Sequence, residues 1–337
     1  MTQGAGIVSL QGSGIAATTC AHLLTLAGFR VATEMNYRPP VPTIVLSDAA
    51  LALIRGVFDR PDLFADLPRL RRRVIAWGGA PVLVANEATL ASEQGVQNAL
   101  GNCSDPILPG AALPDFTIHA APPLPDGELH IFGERNAIAA RVRLRDPACA
   151  EEGRVEAVEQ GWLFLVPAEP GHGWLLGVGG SLDDLLAQSS LIAPAVDALG
   201  ATSVPFMAAP RLHLPLCGDD WLACGTAALG FDPICGDGTA QSVREAILAC
   251  AVITAVAEGG DRDELLLHYR SMLIAAMRRH LLLCAQFYAT GGQGDWWRAQ
   301  HAALMDGHRW CTALLAHMPE PRYLLDGFRL IPRRNAA

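Results

Sequence analysis

The stretch that decides the fold is Gly12-Ser13-Gly14-Ile15-Ala16-Ala17. Gly12 permits a tight turn, Gly14 lets the backbone approach a diphosphate, and Ala17 is small enough for a helix and a strand to pack closely. The apolar run 7–10 before it is typical of a buried strand, and residues 15–27 have the pattern of a helix. The sequence therefore predicts a β-α-β unit in which the quoted turn and the helix N-terminus hold the phosphates of a dinucleotide.

The second predicted strand, residues 29–33, should end in an acidic residue that binds a ribose hydroxyl. Glu34 is the candidate. It stands one residue short of the common spacing, at which Met35 aligns, and a small bulge would restore the spacing. Asn36 and Arg38 are the alternatives nearby. The ribose contact is therefore predicted at Glu34, or else it is made differently.

The composition favours a compact enzyme. Of the 337 residues, 51% are hydrophobic and 18% are charged, so we expect a large core and little disorder. A net charge of −9 argues against a nucleic-acid partner, because phosphate backbones are bound by clustered cations. All 25 basic residues are arginine, which excludes a Walker A lysine and Schiff-base chemistry. The basic run 69–73 is predicted to be a solvated helix end, with a phosphate or partner contact as the alternative.

The nine cysteines are scattered and include no C-x-x-C pair. We therefore expect small buried side chains in a reducing compartment, and neither disulfides nor a metal site. Residues 1–10 have no basic region ahead of their apolar stretch, and no run of 18 apolar residues occurs. These features predict a cytoplasmic protein without a signal peptide or a membrane span.

Residues 218–238, which read GDDWLACGTAALGFDPICGDG, form the most specific pattern in the chain. They resemble the second FAD motif of the aromatic-hydroxylase-like flavoprotein monooxygenases, in which D-P-x-x-G-x-G places a helix N-terminus beside the flavin. The matching positions are Gly225, Asp232, Pro233, Gly236 and Gly238. The resemblance implies that the helix from Thr239 directs its dipole at the flavin N1–O2 edge, which gains negative charge on reduction. Where the family has an acidic residue after the first glycine, this chain has Thr226.

Further stretches narrow the resemblance. Residues 161–167 look like the strand G-W-x-W-x-I-P of flavin-dependent halogenases and their hydroxylase relatives. Phe287-Tyr288 with 296–298 resembles the C-terminal F-Y…W-x-R region of that group. The chain resembles most the flavoproteins of quinone-cofactor biogenesis, of the LodB, GoxB and QhpG type, and Trp77-Gly78 fits a W-G pair found in them. Halogenation is not expected, because the halogenases use a lysine and this chain has none.

The resemblance and the order of the patterns imply an α/β fold. It would have a Rossmann-like FAD-binding domain, an inserted antiparallel-sheet substrate domain and a helical C-terminal tail. Short strand-like runs between residues 129 and 178 predict the antiparallel sheet, and residues 182–199 have a helical pattern. The expected bounds are 1–100 and 210–262 for the FAD-binding domain, 101–209 for the substrate domain and 263–337 for the helical region.

FAD is the cofactor that the resemblance implies. The predicted cofactor-binding residues are Gly12, Gly14, Ile15, Ala16, Ala17, Glu34, Met35, Arg38, Gly225, Thr226, Asp232, Pro233, Gly236, Gly238 and Thr239. Because the flavin carries the oxidising chemistry, the protein has to supply mainly a dry pocket, an orientation and in some cases a base. The candidates for these roles are Trp77, Trp162, Phe164, Cys235 and, as a base, His213. Ordinary core packing, or for His213 a surface position, is the alternative for each of them.

The implied function is hydroxylation of an aromatic small molecule, or of a tryptophan in a partner protein during maturation of a cysteine or lysine tryptophylquinone cofactor. The sequence contains no separate NAD(P)H fingerprint, so the reductant would be NAD(P)H by direct encounter or a separate flavin reductase. A catalytically degenerate scaffold or chaperone for an enzyme precursor is the alternative, motivated by Thr226 and the displaced Glu34. A flavin-dependent reductase is a third interpretation.

Overall fold

The computed structural model describes residues 6–34, 40–101, 105–106, 113–123, 126–146 and 150–333. Within these ranges the helices are α1 (Ile15–Leu26), α2 (Asp48–Phe58), α3 (Glu93–Leu100), α4 (Leu182–Ala187), α5 (Gly238–Ala257), α6 (Arg262–Gly291) and α7 (Asp295–Ala316). The strands are β1 (Ile7–Gln11), β2 (Arg30–Glu34), β3 (Ile44–Ser47), β4 (Arg69–Ala76), β5 (Val82–Ala91), β6 (Asp105–Pro106), β7 (Phe116–His119), β8 (Glu128–Ile131), β9 (Asn136–Leu144), β10 (Glu152–Val158), β11 (Gly161–Glu169), β12 (His172–Val178), β13 (Val196–Thr202), β14 (Phe206–Met207), β15 (Arg211–Leu214), β16 (Cys217–Gly218), β17 (Trp221–Ala223), β18 (Leu229–Gly230), β19 (Tyr323–Asp326) and β20 (Arg329–Pro332).

A six-stranded sheet, in the order β16-β17-β7-β1-β2-β6, contains the predicted β-α-β unit. β1 pairs in parallel with both β2 and β7, and β17 pairs in parallel with β7. The carboxyl ends of these strands therefore meet at one edge of the sheet, which is where ligands bind in open α/β sheets.

Helix α1 packs against this sheet and against α5. Its buried face consists of small side chains and leucines, among them Ala16, Ala17, Cys20 and Leu24. The small residues let α5 approach closely, so that the Cys250 thiol lies 3.8 Å from the carbonyl oxygen of Cys20. The chain leaves α1 through Gly28, whose φ of +89° is a conformation that favours glycine, as the sequence predicts.

The larger sheet has the order β13-β9-β12-β11-β10-β4-β5-β3, with β14 added on β9. All of its pairs are antiparallel except β10 with β4. Successive side chains of β11 point to opposite faces of this sheet. Trp162 packs in the main hydrophobic core on one face, and Leu163 and Leu165 pack with α4 in a second hydrophobic cluster on the other face. The antiparallel sheet predicted over residues 129–178 is thus present from β9 to β12, whereas β8 pairs with β15 in a separate three-stranded sheet, in the order β18-β15-β8.

This sheet also takes in β3, β4 and β5, which precede residue 101. They lie in the same sheet as the strands assigned to the substrate domain and not in the sheet of the glycine turn. The proposed division of the chain into domains remains a prediction.

Two sequence predictions about secondary structure are wrong, and one strand was not predicted. The basic run 69–73 is part of strand β4 and not a helix end, because buried Leu70 alternates with exposed arginines that pair with acidic residues of neighbouring elements. The predicted helix 182–199 ends at Ala187, and a 3-10 turn containing Pro194 leads into strand β13. Strand β10 was not predicted, since its seven residues include Gly153 and three charged residues, Glu152, Arg154 and Glu156, among the apolar ones.

The C-terminal region is helical as predicted, with α6 and α7 packed on each other, and ends in the hairpin β19–β20, which was not predicted. Among the described residues, α5 is long and apolar enough to cross a membrane by length and composition alone. However, 61% of the apolar stretch of α5 is buried inside the protein, as expected of a core helix.

Candidate functional site

The two glycine-rich stretches meet at the carboxyl edge of the six-stranded sheet. Gly12 directly follows β1, and Gly225 follows β17 after one intervening residue. Gly225 has a φ of +56°, and a Cβ atom there would lie 2.7 Å from the Cβ of Ala16. Only a residue without a side chain fits this position, so the second motif rests directly on the first turn of α1.

The first turn has the features that the sequence predicts. Gly12 and Gly14 adopt φ values of +105° and +104°, and a Cβ on Gly12 would lie 2.7 Å from the backbone nitrogen of Ala121. Helix α1 begins at Ile15 without a side-chain cap, whereas α2, α3, α4 and α6 are each capped by a serine or aspartate side chain. The first N–H groups of α1 therefore remain for an anionic ligand.

Glu34 lies beside this turn, at the end of β2. It pairs with Gln11 in a register that is regular along the strand, and its carbonyl oxygen accepts a 2.9 Å hydrogen bond from the Gly12 N–H. The Glu34 side chain is exposed. Met35 and Arg38 lie outside the described residues, so the alternatives to Glu34 stay predictions.

The second motif ends in an open loop at the N-terminus of α5. Asp232 caps the 3-10 turn that contains Pro233 and Cys235, and Gly236 has a φ of +66°. A Cβ on Gly236 or on Gly238 would meet no protein atom within 4 Å. Helix α5 also lacks a side-chain cap, and Thr239 in its first turn is partly exposed. The loop thus combines open space with unpaired N–H groups and a positive helix end.

A buried acidic residue that the sequence analysis did not identify, Glu245, contacts the backbone next to Thr226. The Thr226 hydroxyl lies 3.4 Å from the Ala120 carbonyl oxygen, and its side chain is exposed. The buried Glu245 carboxyl accepts a 2.8 Å hydrogen bond from the Gly225 N–H, and burial raises the pKa of Glu245 to about 8. The sequence feature that could have identified Glu245 is its position as an acidic residue among the apolar residues of α5.

A buried polar network holds Asp232. Its Oδ2 atom lies 2.9 Å from Nε of Arg135, and both side chains are fully buried. The same oxygen accepts a 2.9 Å hydrogen bond from the Tyr288 hydroxyl, which in turn accepts one of 3.1 Å from Nε1 of Trp162. Burial raises the pKa of Asp232, and the Arg135 charge opposes this effect. Gln300 also accepts a 2.8 Å hydrogen bond from Arg135.

Two of the aromatic candidates, Trp77 and Trp162, lie next to this network. Trp77 makes edge-to-face contacts with Trp162 and Trp297, at centroid distances of 6.4 and 5.3 Å. Its Nε1 donates a 2.9 Å hydrogen bond to the Phe287 carbonyl oxygen. Phe164, two residues after Trp162 on β11, is partly buried and carries the Arg73 guanidinium 5.2 Å above its ring. Trp77 and Trp162 are therefore in one aromatic cluster, next to the residues that hold the second motif.

His213 lies elsewhere. It is buried in β15, where its ring nitrogen is 3.4 Å from the Pro215 carbonyl oxygen. Within the described part of the chain, no contact joins its ring to Trp77, Phe164 or Cys235. The structure thus gives no support to His213 as the base.

Cys235 belongs to a cluster that the sequence analysis missed. Its Sγ is 3.5 Å from Sγ of Cys284, which lies 3.3 Å from Nε2 of His280. The ligand atoms of the three residues are within 4.8 Å of one another, a spacing that a metal ion could bridge. The backbone N–H of Asp232 donates a 2.8 Å hydrogen bond to that Nε2, and burial, aided by the Arg135 charge, lowers the pKa of His280 to about 3. The sequence feature that could have indicated this cluster is the i, i+4 spacing of His280 and Cys284, which places the two side chains next to each other on one helix.

Comparison with known proteins identifies the fold. No family model and no curated protein sequence matches the chain. The solved structure of QhpG, a peptidyl tryptophan dihydroxylase essential for tryptophylquinone cofactor biogenesis, matches with a TM-score of 0.75 and 16% identity over 98% of this chain and 86% of that one. The flavin-dependent halogenase CmlS matches with a TM-score of 0.74 and 15% identity over 94% of this chain and 72% of that one.

A third structure, the myxobacterial chondrochloren halogenase CndH, a variant of the FAD-dependent halogenases, gives a TM-score of 0.71 and 13% identity over 94% of this chain and 92% of that one. This chain therefore has the fold of QhpG and of the FAD-dependent halogenases. The resemblance predicted from the two glycine motifs is confirmed at the level of the fold.

Proposed function

We propose that this chain is an FAD-dependent monooxygenase that hydroxylates an aromatic substrate. The observation that carries the proposal is the contact between Gly225 and Ala16, which brings two separate glycine motifs and two uncapped helix N-termini to one edge of the sheet. A fold shared with flavin-dependent enzymes supports this assignment.

The residues at this edge fit the parts of FAD. Gly12, Gly14 and the first turn of α1 would hold the diphosphate through backbone N–H groups. The exposed carboxylate of Glu34, next to that turn, would bind the ribose. Gly236 and Gly238 border open space at the N-terminus of α5, because an added Cβ on either glycine meets no protein atom within 4 Å, and the flavin ring would occupy this space.

FAD, when bound, supplies the oxidising chemistry by activating dioxygen. The chain's own residues position the ring and exclude water. The N-terminus of α5 would stabilise the negative charge that the ring gains on reduction. The buried pair of Asp232 and Arg135 fixes the loop before α5, and the cluster of Trp77 and Trp162 forms an apolar wall next to that pair.

The substrate class that we propose is an indole or phenol ring, including the tryptophan side chain of a partner protein during maturation of a quinone cofactor. The support is the likeness to QhpG, a peptidyl tryptophan dihydroxylase, together with the aromatic wall. Halogenation is not proposed, because the chain contains no lysine. The reductant would be NAD(P)H or a separate flavin reductase, and the compartment would be the cytoplasm.

The test is oxygen transfer from air. The purified protein is loaded with FAD, supplied with NADH and a flavin reductase, and incubated with tryptophan-containing peptides and with free phenols and indoles. Mass spectrometry under isotopically labelled dioxygen is expected to show one or two labelled oxygen atoms in a product. Absence of labelled product from every aromatic substrate, with FAD bound, would contradict monooxygenase activity.

One observation favours a second candidate. Thr226 replaces the acidic residue of the second motif and contacts only a backbone carbonyl oxygen at 3.4 Å. A chain that had lost tight FAD binding would act as a scaffold or chaperone for an enzyme precursor. In that case a partner protein would bind equally well with and without FAD, and NADH consumption would not depend on the partner.

A further inference from the structure

Two thiols come together beside the loop where the flavin is proposed to bind. Cys235 lies in the second motif, one residue before Gly236, and is partly exposed. Cys284 lies on α6 and is fully buried. Their sulfur atoms are 3.5 Å apart and both residues are free cysteines. A disulfide has a length of about 2.05 Å, so an approach of roughly 1.5 Å would join them.

His280 is a poor third ligand for a metal ion at this place. A neutral imidazole has a single lone pair, and here the Nε2 lone pair accepts the hydrogen bond from the Asp232 N–H at 2.8 Å. The Arg135 guanidinium, which is ion-paired with Asp232, adds a positive charge close by and disfavours a cation. Burial raises the pKa of the Cys284 thiol, and the Arg135 charge opposes this rise. The partly exposed Cys235 is therefore the member of the pair that an outside thiol can reach for thiol–disulfide exchange.

A second close pair of thiols shows what distinguishes this one. Cys20 and Cys224 have sulfur atoms 3.9 Å apart, but both are completely buried in the contact between α1 and the sheet. Neither is accessible to a ligand or a reductant. Among the described cysteines, the pair Cys235–Cys284 combines close sulfur atoms with one member that faces the open loop.

We infer that Cys235 and Cys284 form a redox pair that delivers electrons to the flavin. This inference rests on the proposed function. In the forward step the two thiols release two electrons and two protons and become one disulfide, while the oxidised flavin takes up both electrons and both protons. A cellular dithiol, a small molecule or a reduced thioredoxin-type protein, then restores the thiols by thiol–disulfide exchange. The pair would thereby supply reducing equivalents in addition to NAD(P)H or a separate flavin reductase.

The first measurement needs no flavin. The reduced protein is treated with diamide without added FAD, the remaining thiols are alkylated, and the peptides are mapped by mass spectrometry. We expect one cross-link, between Cys235 and Cys284, that dithiothreitol reverses. No such cross-link, or a stoichiometric zinc ion that the wild type retains and Cys284→Ala loses, would overturn the inference, the latter in favour of a metal site.

The second measurement follows electron delivery. FAD-loaded protein is mixed with dithiothreitol under anaerobic conditions, and the loss of the visible band of oxidised flavin is timed. We expect bleaching at least ~10-fold slower in Cys235→Ala and Cys284→Ala than in the wild type, because the direct reaction of the dithiol with flavin lacks the positioned pair. Cys311→Ala, which removes a buried thiol of α7, is the matched control and should bleach like the wild type.

The outcomes separate the two proposals. If the wild type binds no FAD, the proposed function fails before any dithiol is added. If FAD binds and all four proteins bleach at the same rate, the inference fails and the proposed function stands. Because Cys284 is buried, thermal unfolding is measured for each variant, and the partly exposed Cys235→Ala carries the test if Cys284→Ala does not fold.

Discussion

The hydroxyl of Tyr288 donates a 2.9 Å hydrogen bond to Oδ2 of Asp232, across 56 positions of sequence. Through this bond a helix of the C-terminal region holds the loop that leads into α5. Nε1 of Trp162 donates in turn to the Tyr288 hydroxyl at 3.1 Å, so that strand β11 is joined to the same loop. Two separate parts of the chain, α6 and β11, thus fix the position of the second glycine motif.

Tyr288→Phe is expected to destabilise the protein by about 1–3 kcal/mol. The substitution leaves the Trp162 N–H without its acceptor and removes one donor from a buried carboxylate. The free energy of unfolding in urea measures the effect. The matched control is Tyr323→Phe, because the Tyr323 hydroxyl makes only a 3.4 Å contact with Glu264 near the surface. Equal values for the two variants would argue against a tightly held network.

Gly225→Ala is expected to cost about 1–3 kcal/mol of stability. The residue has a φ of +56°, and the added Cβ would lie 2.7 Å from the Cβ of Ala16. Gly56→Ala is the control, since an added Cβ there meets no atom within 4 Å and alanine favours the helix α2. Urea unfolding should rank the control at or above the wild type. A Gly225→Ala variant as stable as the wild type would refute the close contact of the two motifs.

Glu245→Gln is expected to change how stability depends on pH. In the unfolded chain the Glu245 carboxyl loses its proton near its ordinary pKa of 4.5, whereas burial in the folded protein raises this pKa to about 8. Between these values the folded state binds the additional proton, so its free energy of unfolding falls as the pH rises, by up to about 1.4 kcal/mol per pH unit. In the Glu245→Gln variant this contribution to the pH dependence is absent, while the glutamine side-chain oxygen can still accept the hydrogen bond from the Gly225 N–H. Parallel pH profiles for the two proteins would contradict the buried proton.

Thr226→Asp is expected to tighten FAD binding about 5- to 10-fold. The side chain is exposed at the site edge, and a charge-assisted hydrogen bond to a ribityl or ribose hydroxyl is worth roughly 1 kcal/mol more than a neutral one. Thr226→Asn has the same shape without the charge and serves as the control. Fluorescence titration gives both dissociation constants. If Asp and Asn bind FAD equally, Thr226 is not at the cofactor.

Local patterns of sequence predicted the turn after β1 and the glycine positions that follow β17. The positive φ values of Gly12 and Gly225 and the short side chain of Ala17 are requirements of the backbone at those positions, and they can be recognised without knowledge of distant residues. The resemblance of residues 218–238 then predicted the fold that the structural neighbours confirm.

Features that depend on distant partners were not predictable. The basic run 69–73 is a strand because the distant strands β5 and β10 pair with it on both sides, and the acidic residues Glu151 and Glu152 lie beside its arginines. Cys235 and Cys284 stand 49 positions apart, and only the packing of α6 on the loop brings their sulfur atoms together. Arg135 has no pattern of its own that marks it as the partner of Asp232.

The most direct test of the central claim is an FAD titration of the wild type and of Gly238→Leu, followed by flavin fluorescence. The added Cβ of this substitution meets no protein atom within 4 Å, so the variant should fold. We predict that the wild type binds one FAD per chain and that Gly238→Leu binds it at least ~10-fold more weakly, a loss of about 1.4 kcal/mol, because the leucine occupies the space of the flavin ring. A wild type that binds no FAD, or a variant that binds it equally well, would contradict a flavin site at the N-terminus of α5.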